Sequence, residues 1–215
     1  MRPLVVIEHE SDAPAGLLGE WLEDRGMPWV VHRSDAEQEV PSGTPAVISL
    51  GSSHAAYEET GWVPGHVALL RRTAAAGIPV LGLCFGAQAL GVALGGEAHR
   101  ATSGEVGWVQ PRSPIAAVRG PWFSWHFDAV VPPAGANVLA RTDRAVQAYT
   151  EGRHVGFQFH PEVTPAIALK WIENEPQVAE RHGDRDLRET VAAAEPVLRE
   201  RAFTLFDWWR SFALS

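Results

Sequence analysis

The chain has 215 residues, a formal net charge of -8 and a single cysteine, Cys84. This length predicts one domain, or one domain with a helical appendage, that can bury a sizeable core. The acidic balance argues against nucleic acid or an anionic membrane as a partner. A lone cysteine excludes an internal disulfide and favours a cytoplasmic location. We expect no signal peptide or membrane span, because the apolar runs are too short.

The first half of the chain alternates predicted strands and helices. Strands are expected at residues 4–7, 28–31, 46–50 and 79–83, and helices at residues 16–25, 64–76 and 85–94. This alternation predicts an α/β fold with a doubly wound, mostly parallel, flavodoxin-like sheet flanked by helices. Sites in such sheets lie at the carboxyl ends of strands, so Gly51 and Cys84 are expected to face one cleft.

The second half begins with short apolar segments separated by proline, glycine and asparagine turns, which predict a small antiparallel β layer. These segments are residues 106–109, 115–118, 129–131, 138–140 and 145–149, and residues 155–159 are expected to rejoin the main sheet. Residues 166–173 are predicted to be helical. Apolar positions between residues 187 and 209 also have helical spacing, which Pro196 breaks or kinks. The polar stretch 180–188 predicts a linker or an exposed loop.

Cys84 lies between an apolar strand and a helical segment, and it is flanked closely by Gly82 and Gly86. The two glycines predict a tight strand-to-helix turn that is too crowded for side chains. The amino end of the following helix would favour the thiolate over the thiol. Free cysteine is also a common buried apolar residue. The turn alone therefore leaves two alternatives, a nucleophile or a packing residue.

A candidate base follows the last predicted strand, in Phe159-His160-Pro161-Glu162. A cysteine nucleophile needs such a base, and the base needs a group that fixes its tautomer. Glu162 can supply that group to His160. The pattern is weak by itself, because the chain has nine histidines and a surface or core histidine is the default.

Together the two motifs are specific. Gly82-Leu83-Cys84-Phe85-Gly86-Ala87-Gln88 followed by Gln158-Phe159-His160-Pro161-Glu162 resembles the class I (triad) glutamine amidotransferases. The resemblance covers about residues 1–165, and it implies an amidotransferase-like domain there. A C-terminal helical extension over residues 166–215 would pack on the same domain.

The resemblance also implies a role for each motif residue. Cys84 would attack the side-chain amide carbon of glutamine, His160 would take and return a proton, and Glu162 would orient His160. The backbone N–H groups of Gly51 and Phe85 would hold the oxyanion. The family usually has two glycines in the oxyanion loop, whereas this chain has Leu50-Gly51-Ser52-Ser53.

A glutamine pocket is implied as well. Gln88 matches a family position that helps to hold glutamine. The segment Ser124-Trp125-His126-Phe127-Asp128 resembles the one that contacts the α-amino and carboxylate groups. Asp128 would bind the amino group, while Trp125 and His126 would line the pocket. Phe127 replaces a small glycine, which either narrows the pocket or indicates a different γ-glutamyl substrate.

Three functions remain open at this stage. The first is a glutaminase-type amidotransferase that passes ammonia to a separate synthase subunit, since the chain has no P-loop and no length for a synthetase domain. The second is a γ-glutamyl hydrolase or peptidase that acts on another γ-glutamyl amide. The third is a catalytically degenerate binding or regulatory module. No metal or organic cofactor is implied, because the histidines lack metal-ligand spacing, and the oligomeric state stays open.

Overall fold

The computed structural model describes residues 2–33, 39–183 and 186–215. The strands are β1 (Leu4–Glu8), β2 (Trp29–Arg33), β3 (Val47–Ser49), β4 (Val80–Leu83), β5 (Glu97–Val109), β6 (Trp122–Val131), β7 (Asn137–Arg141), β8 (Val146–Glu151) and β9 (His154–Phe157). The helices are α1 (Gly16–Asp24), α2 (Val63–Ala75), α3 (Phe85–Ala93), α4 (Pro165–Asn174), α5 (Pro176–His182), α6 (Leu187–Ala192) and α7 (Glu195–Ala213).

Seven strands form the main sheet in the order β2-β1-β3-β4-β9-β8-β7. The first five run parallel, and β8 and β7 are antiparallel to their neighbours. Strands β3 and β4 are buried along their whole length, as expected of parallel strands that helices cover on both faces. The predicted doubly wound α/β fold with a mostly parallel sheet is confirmed.

A second, two-stranded sheet pairs β5 with β6 in antiparallel register. Both strands are much longer than the predicted segments 106–109 and 129–131, which are only their ends. Strand β6 begins at Trp122, so the whole segment that resembles the substrate-binding motif is a strand rather than a loop. The predicted antiparallel layer is therefore present, with longer strands than expected. The prediction is wrong for segments 138–140 and 145–149, because β8 pairs with β9 and β7 pairs with β8, so that both strands extend the main sheet.

The predicted strand at residues 115–118 is wrong, because Ala116–Val118 forms a 3-10 turn. The N–H group of Val118 donates to the carbonyl of Ile115 at 3.0 Å, and that of Arg119 donates to Ala116 at 3.2 Å. The hydroxyl of Ser113 accepts a hydrogen bond from the Ile115 N–H group at 3.1 Å. These local bonds satisfy the backbone without a neighbouring strand, so the apolar pattern alone misled the prediction.

The C-terminal helices cover the first helix and the small sheet. Helix α7 packs along α1, where the Asp207 carboxylate accepts hydrogen bonds from Trp21 Nε1 at 3.0 Å and from Arg25 Nη2 at 2.7 Å. The buried side chains of α7, including Trp209, join the core beneath the main sheet. None of the helices in the described ranges is both long and apolar enough to span a bilayer.

The helical spacing between residues 187 and 209 is divided, as predicted. Helix α6 ends at Ala192 and α7 begins at Glu195, which places Pro196 in the first turn of α7. The prediction of a linker or exposed loop at residues 180–188 is wrong at both ends, because α5 and α6 extend into it. Leu187 is buried there and lies against Gly107 of β5. Residues 184 and 185 of that stretch lie outside the described residues.

The neighbouring parallel strands β1, β3, β4 and β9 all end at the same edge of the sheet. The residues that follow these ends are Glu10 after β1, Gly51 after β3, Cys84 after β4 and His160 after β9. Because the strands lie side by side, the topology brings the four segments together in that order.

Candidate active site

Cys84 occupies a strained turn between β4 and α3. Its backbone has φ 49° and ψ -107°, and it is the only non-glycine residue with positive φ in the part of the chain that the structure describes. A Cβ atom on Gly86 would lie 2.1 Å from the carbonyl oxygen of Ser49, and one on Gly82 would lie 2.4 Å from the carbonyl oxygen of Gly86. Such strain costs about 1–3 kcal/mol and persists only where the surrounding structure enforces it.

The predicted base and its orienting carboxylate form a buried pair. His160 Nδ1 lies 2.7 Å from Glu162 Oε1, and both side chains are 3% exposed. A carboxylate can only accept, so Nδ1 carries the proton and donates it to Glu162. The backbone N–H group of His160 donates to the carbonyl of Phe123 at 2.8 Å, which ties the loop to β6. Nε2 of His160 is left with no hydrogen-bond partner among the described residues.

The electrostatics of this pair favour a charged imidazole. Burial by itself would lower the pKa of His160, but the negative charges of Cys84 and Glu162 and the hydrogen bond to Glu162 outweigh it and raise that pKa above its ordinary value. A protonated His160 carries an N–H group at Nε2 as well as at Nδ1, so Nε2 can give a proton to a bound group.

The loop after β3 lies directly against both residues. A Cβ atom on Gly51 would be 3.1 Å from Cε1 of His160 and 3.9 Å from Cβ of Cys84. Leu50, the departure from the family pattern, is fully buried in the core, and its carbonyl accepts from the Gly86 N–H group at 3.1 Å. Within the described ranges, the N–H groups of Gly51 and Phe85 donate to no protein acceptor, so both are available to a bound group.

A pocket of about 330 Å³ opens at this edge of the sheet, at the small end of the range for small-molecule sites. Every sequence-predicted site residue lines it except Glu162, which lies behind His160. The lining residues among those predictions are Gly51, Cys84, Phe85, Gln88, Trp125, His126, Asp128 and His160.

Gln88 and Asp128 join two walls of the pocket. Gln88 Nε2 donates to the backbone carbonyl of Asp128 at 3.1 Å, so it holds α3 to β6. His126 Nδ1 donates to the same carbonyl at 2.9 Å. The Asp128 carboxylate accepts a hydrogen bond from the Tyr57 hydroxyl at 3.2 Å and lies 3.5 Å from Arg100 Nη1. Asp128 therefore presents a carboxylate at the pocket wall, next to Tyr57 and Arg100.

Phe127 forms a wall of the pocket rather than a plug. The Arg100 guanidinium lies over its ring at 4.9 Å, and the ring of His182 packs against it at 5.1 Å. A Cβ atom on Gly104 would be 2.4 Å from Cδ1 of Phe127, so the glycine opposite makes room for the ring. The pocket accommodates the larger residue without closing.

Two pocket neighbours carry no role in the sequence prediction. Gln158 Nε2 donates to Cys84 Sγ at 3.7 Å and its Oε1 accepts from Gln88 at 3.3 Å. Gln158 directly follows β9 and precedes His160 by two residues, so its closeness to the base in sequence was the available signal. Trp171 lies on α4, and its ring lies 4.8 Å from that of His160. Its place on α4, far along the chain, gives no local signal.

Comparisons with known sequences point to one family. The family model described as Glutamine amidotransferase class-I matches residues 18–175. A GMP synthase [glutamine-hydrolyzing] from Aquifex aeolicus is 31% identical over 180 residues, which cover 77% of this chain and 34% of that protein. A protein of the same name from Thermus thermophilus is 35% identical over 147 residues, which cover 61% of this chain and 28% of that protein. This chain thus spans about a third of the length of the curated relatives it matches.

Solved structures agree with the sequence comparisons. A glutamine amidotransferase from Thermotoga maritima superposes with a TM-score of 0.84 at 26% identity, covering 96% of this chain and 97% of that one. A glutamine amidotransferase from Methylobacillus flagellatus has the same fold, with a TM-score of 0.84 at 24% identity and coverage of 99% and 96%. The fold places this chain among the doubly wound α/β proteins. Within that class, the chain belongs to the class-I glutamine amidotransferase family.

Proposed function

We propose that this chain hydrolyses the side-chain amide of glutamine through a γ-glutamyl thioester on Cys84. The observation that carries the proposal is the meeting of the strained Cys84 turn with the buried His160–Glu162 pair at one pocket. A cysteine, a base and a group that orients the base are the parts that nucleophilic acyl transfer requires. Membership of the family supports glutamine as the substrate.

The first half of the reaction forms the thioester. The Cys84 thiolate attacks the side-chain carbonyl carbon of glutamine, and the π electrons move onto the oxygen. The N–H groups of Gly51 and Phe85 stabilise that oxyanion, and the loss of one such donor typically costs about 2.7–4 kcal/mol. Protonated His160 gives its Nε2 proton to the amide nitrogen, the C–N bond breaks and ammonia leaves.

The second half releases glutamate. Neutral His160 takes a proton from water at Nε2 while the water oxygen attacks the thioester carbon. The tetrahedral intermediate collapses, the C–S bond breaks, and the thiolate is regenerated beside a protonated His160. The new γ-carboxyl group loses its remaining proton to solvent, which gives glutamate. Glu162 holds the Nδ1 proton throughout, which fixes the tautomer and stabilises the imidazolium.

We further propose that a separate synthase domain or subunit uses the released ammonia. The relatives named as GMP synthase are about three times as long as the region that they share with this chain, so their remaining sequence has room for such a domain. The test is to supply glutamine with a candidate synthase and to measure the aminated product. Replacement of glutamine by ammonium ions should bypass this chain, and a requirement for the chain under both conditions would contradict the proposal.

The hydrolysis itself is tested by measuring glutamate release from glutamine with purified protein. Replacement of Cys84 by alanine should lower kcat by at least about 10⁴-fold, because loss of a nucleophile removes the covalent path. The variant Asp207→Ala, which alters only the contact of α7 with α1, serves as a control and should keep the wild-type rate. Equal glutamate release by the Cys84→Ala variant would exclude the proposed mechanism.

A second candidate keeps this chemistry and changes the leaving amine. Besides His160, the group that would protonate the leaving nitrogen, the pocket is lined by Trp171, Asp12 and Glu175, none of which the proposed glutamine reaction uses. Such extra lining residues would contact an amine larger than ammonia, as in a γ-glutamyl hydrolase. A panel of γ-glutamyl alkylamides compared with glutamine by kcat/KM distinguishes the two candidates, because the better substrate identifies the leaving group.

A further inference from the structure

The loop that carries Gly51 is anchored by a carboxylate from the neighbouring strand. Glu10 follows β1, and its Oε1 accepts hydrogen bonds from the Ser52 hydroxyl at 2.9 Å, the Ser53 hydroxyl at 2.9 Å and the Ser53 N–H group at 3.2 Å. Three donors from two consecutive residues thus converge on one oxygen. The loop sequence Leu50-Gly51-Ser52-Ser53 contains no proline, so its conformation depends on such contacts.

The other side of the loop is anchored by the core. The N–H group of Leu50 donates to the carbonyl of Ile7 in β1 at 3.1 Å, and the Leu50 side chain is fully buried. Gly51 lies between this anchor and the bonds to Glu10. Glycine has the widest backbone freedom of any residue, so the direction of its N–H group depends on the two anchors.

Glu10 is ionised when it holds the loop. Partial burial opposes its ionisation, but the hydrogen bonds from Ser53 and Ser52 and the charge of His54 outweigh that effect and keep the pKa of Glu10 below its usual value. Hydrogen bonds to a carboxylate are roughly twice as strong as those between neutral groups. The anchor is therefore stronger than a hydroxyl or an amide would supply.

We propose that Glu10 is a positioning residue, which aims the Gly51 N–H group at the oxyanion through Ser52 and Ser53. This assignment rests on the proposed function, because it concerns the donor to the tetrahedral intermediate. Glu10 also lines the pocket, so direct binding of the substrate ammonium group is the competing role. The two roles differ in kinetics, since a misplaced oxyanion donor lowers kcat whereas a lost ground-state contact raises KM.

The first measurement is steady-state glutamine hydrolysis by two variants. Glu10→Ala should lower kcat by about 10–100-fold with KM changed by less than about threefold, because a misplacement of about 1 Å can cost about 100-fold. Glu10→Gln keeps an acceptor oxygen at the same place and should recover most of kcat. A rise in KM at unchanged kcat would overturn the proposal in favour of substrate binding.

A double-mutant cycle tests whether Glu10 acts through the serines. The loss caused by Glu10→Ala and the loss caused by the paired change Ser52→Ala and Ser53→Ala should not multiply when all three are combined. Independent, multiplicative losses would overturn the proposal.

Glu58→Ala is the matched control, because Glu58 accepts hydrogen bonds from the Ala55 N–H group and from His54 further along the same loop. Its kcat should stay within about twofold of wild type, and a loss equal to that of Glu10→Ala would also overturn the proposal.

Amide hydrogen exchange separates this proposal from the proposed function. The peptide that covers residues 47–56 should exchange faster in Glu10→Ala than in the wild type, and Glu10→Gln should restore much of the protection. Faster exchange would support the anchor even if the wild-type protein released no glutamate. Absence of glutamate release would exclude only the proposed function. Unchanged exchange in Glu10→Ala would overturn the anchor whatever the turnover.

Discussion

Replacement of Gly86 by alanine tests the tight turn around Cys84 with a single methyl group. The new Cβ atom would lie 2.1 Å from the carbonyl oxygen of Ser49 and 2.8 Å from its hydroxyl oxygen. Ordinary contact needs at least 3.4 Å, so the first turn of α3 must move from the end of β3 by about 1.3 Å. The opposing atom is backbone in a buried strand, so it cannot move aside as a flexible side chain would.

This displacement should have two measurable effects. Overpacking of this kind costs about 1–3 kcal/mol, which urea titration would show as a lower free energy of unfolding. The displacement also shifts Cys84 and the Phe85 N–H group relative to His160, and a shift of about 1 Å can lower turnover by about 100-fold. We therefore expect glutamine hydrolysis to fall by about 100-fold in protein that still folds.

A matched control is Gly65→Ala in α2, where a Cβ atom would meet nothing within 4 Å. Gly65 lies in the first turn of α2, where alanine restricts the unfolded chain more than glycine does, so this variant should be at least as stable as the wild type and fully active. A Gly86→Ala protein with wild-type kcat would refute the claim that the turn must be this tight for catalysis.

Three further predictions concern the base, the buried histidines and the C-terminal helix. Glu162→Gln should lower kcat by about 10⁴-fold while circular dichroism stays unchanged, because the amide no longer fixes the His160 tautomer, and a loss below tenfold would contradict that role. Burial lowers the pKa of His66 from 6.5 to about 4, and burial together with the charge of His66 lowers the pKa of His9 to about 2. The unfolded chain takes up these protons below pH 6.5 and the folded chain does not. The free energy of unfolding should therefore fall as the pH drops from 6.5 towards 4, by about 1.4 kcal/mol per pH unit for each histidine, and His66→Gln should remove about half of that slope in urea titrations. Asp207→Ala removes the acceptor for Trp21 and Arg25, so it should lower the melting temperature without changing kcat, and an unchanged melting temperature would show that this contact does not stabilise the fold.

The predictable part of this molecule is the part governed by local patterns. Glycines at positions 82 and 86 and the apolar runs before them were sufficient to predict β4, the turn and α3. The alternation of strands and helices also predicted the parallel sheet, because parallel neighbouring strands need crossover connections and helices supply them. The family was recognisable because the cysteine and histidine motifs are both short and specific.

The remainder depends on contacts between distant segments. The 3-10 turn at residues 116–118 has an apolar pattern like that of a short strand, and only its local hydrogen bonds distinguish it. Trp171 of α4 lines the pocket beside His160, and helical spacing gave no reason to expect it there. Glu10 and the two serines are 42 and 43 residues apart in sequence, so their pairing follows from the order of β1 and β3 in the sheet. The sequence showed that Leu50 and Phe127 depart from the family pattern. It did not show that Leu50 is buried in the core, or that Gly104 leaves space for the Phe127 ring.

The central claim is that Cys84 carries the glutamyl group during turnover. Mixing the protein with glutamine, quenching in acid within the first turnovers and measuring the mass of the peptide that contains Cys84 tests it most directly. We predict an increase equal to glutamine minus ammonia on that peptide, which disappears on treatment with hydroxylamine and is absent from Cys84→Ala. Glutamate formation by the Cys84→Ala variant at the wild-type rate, or an adduct on another peptide in place of this one, would contradict the account.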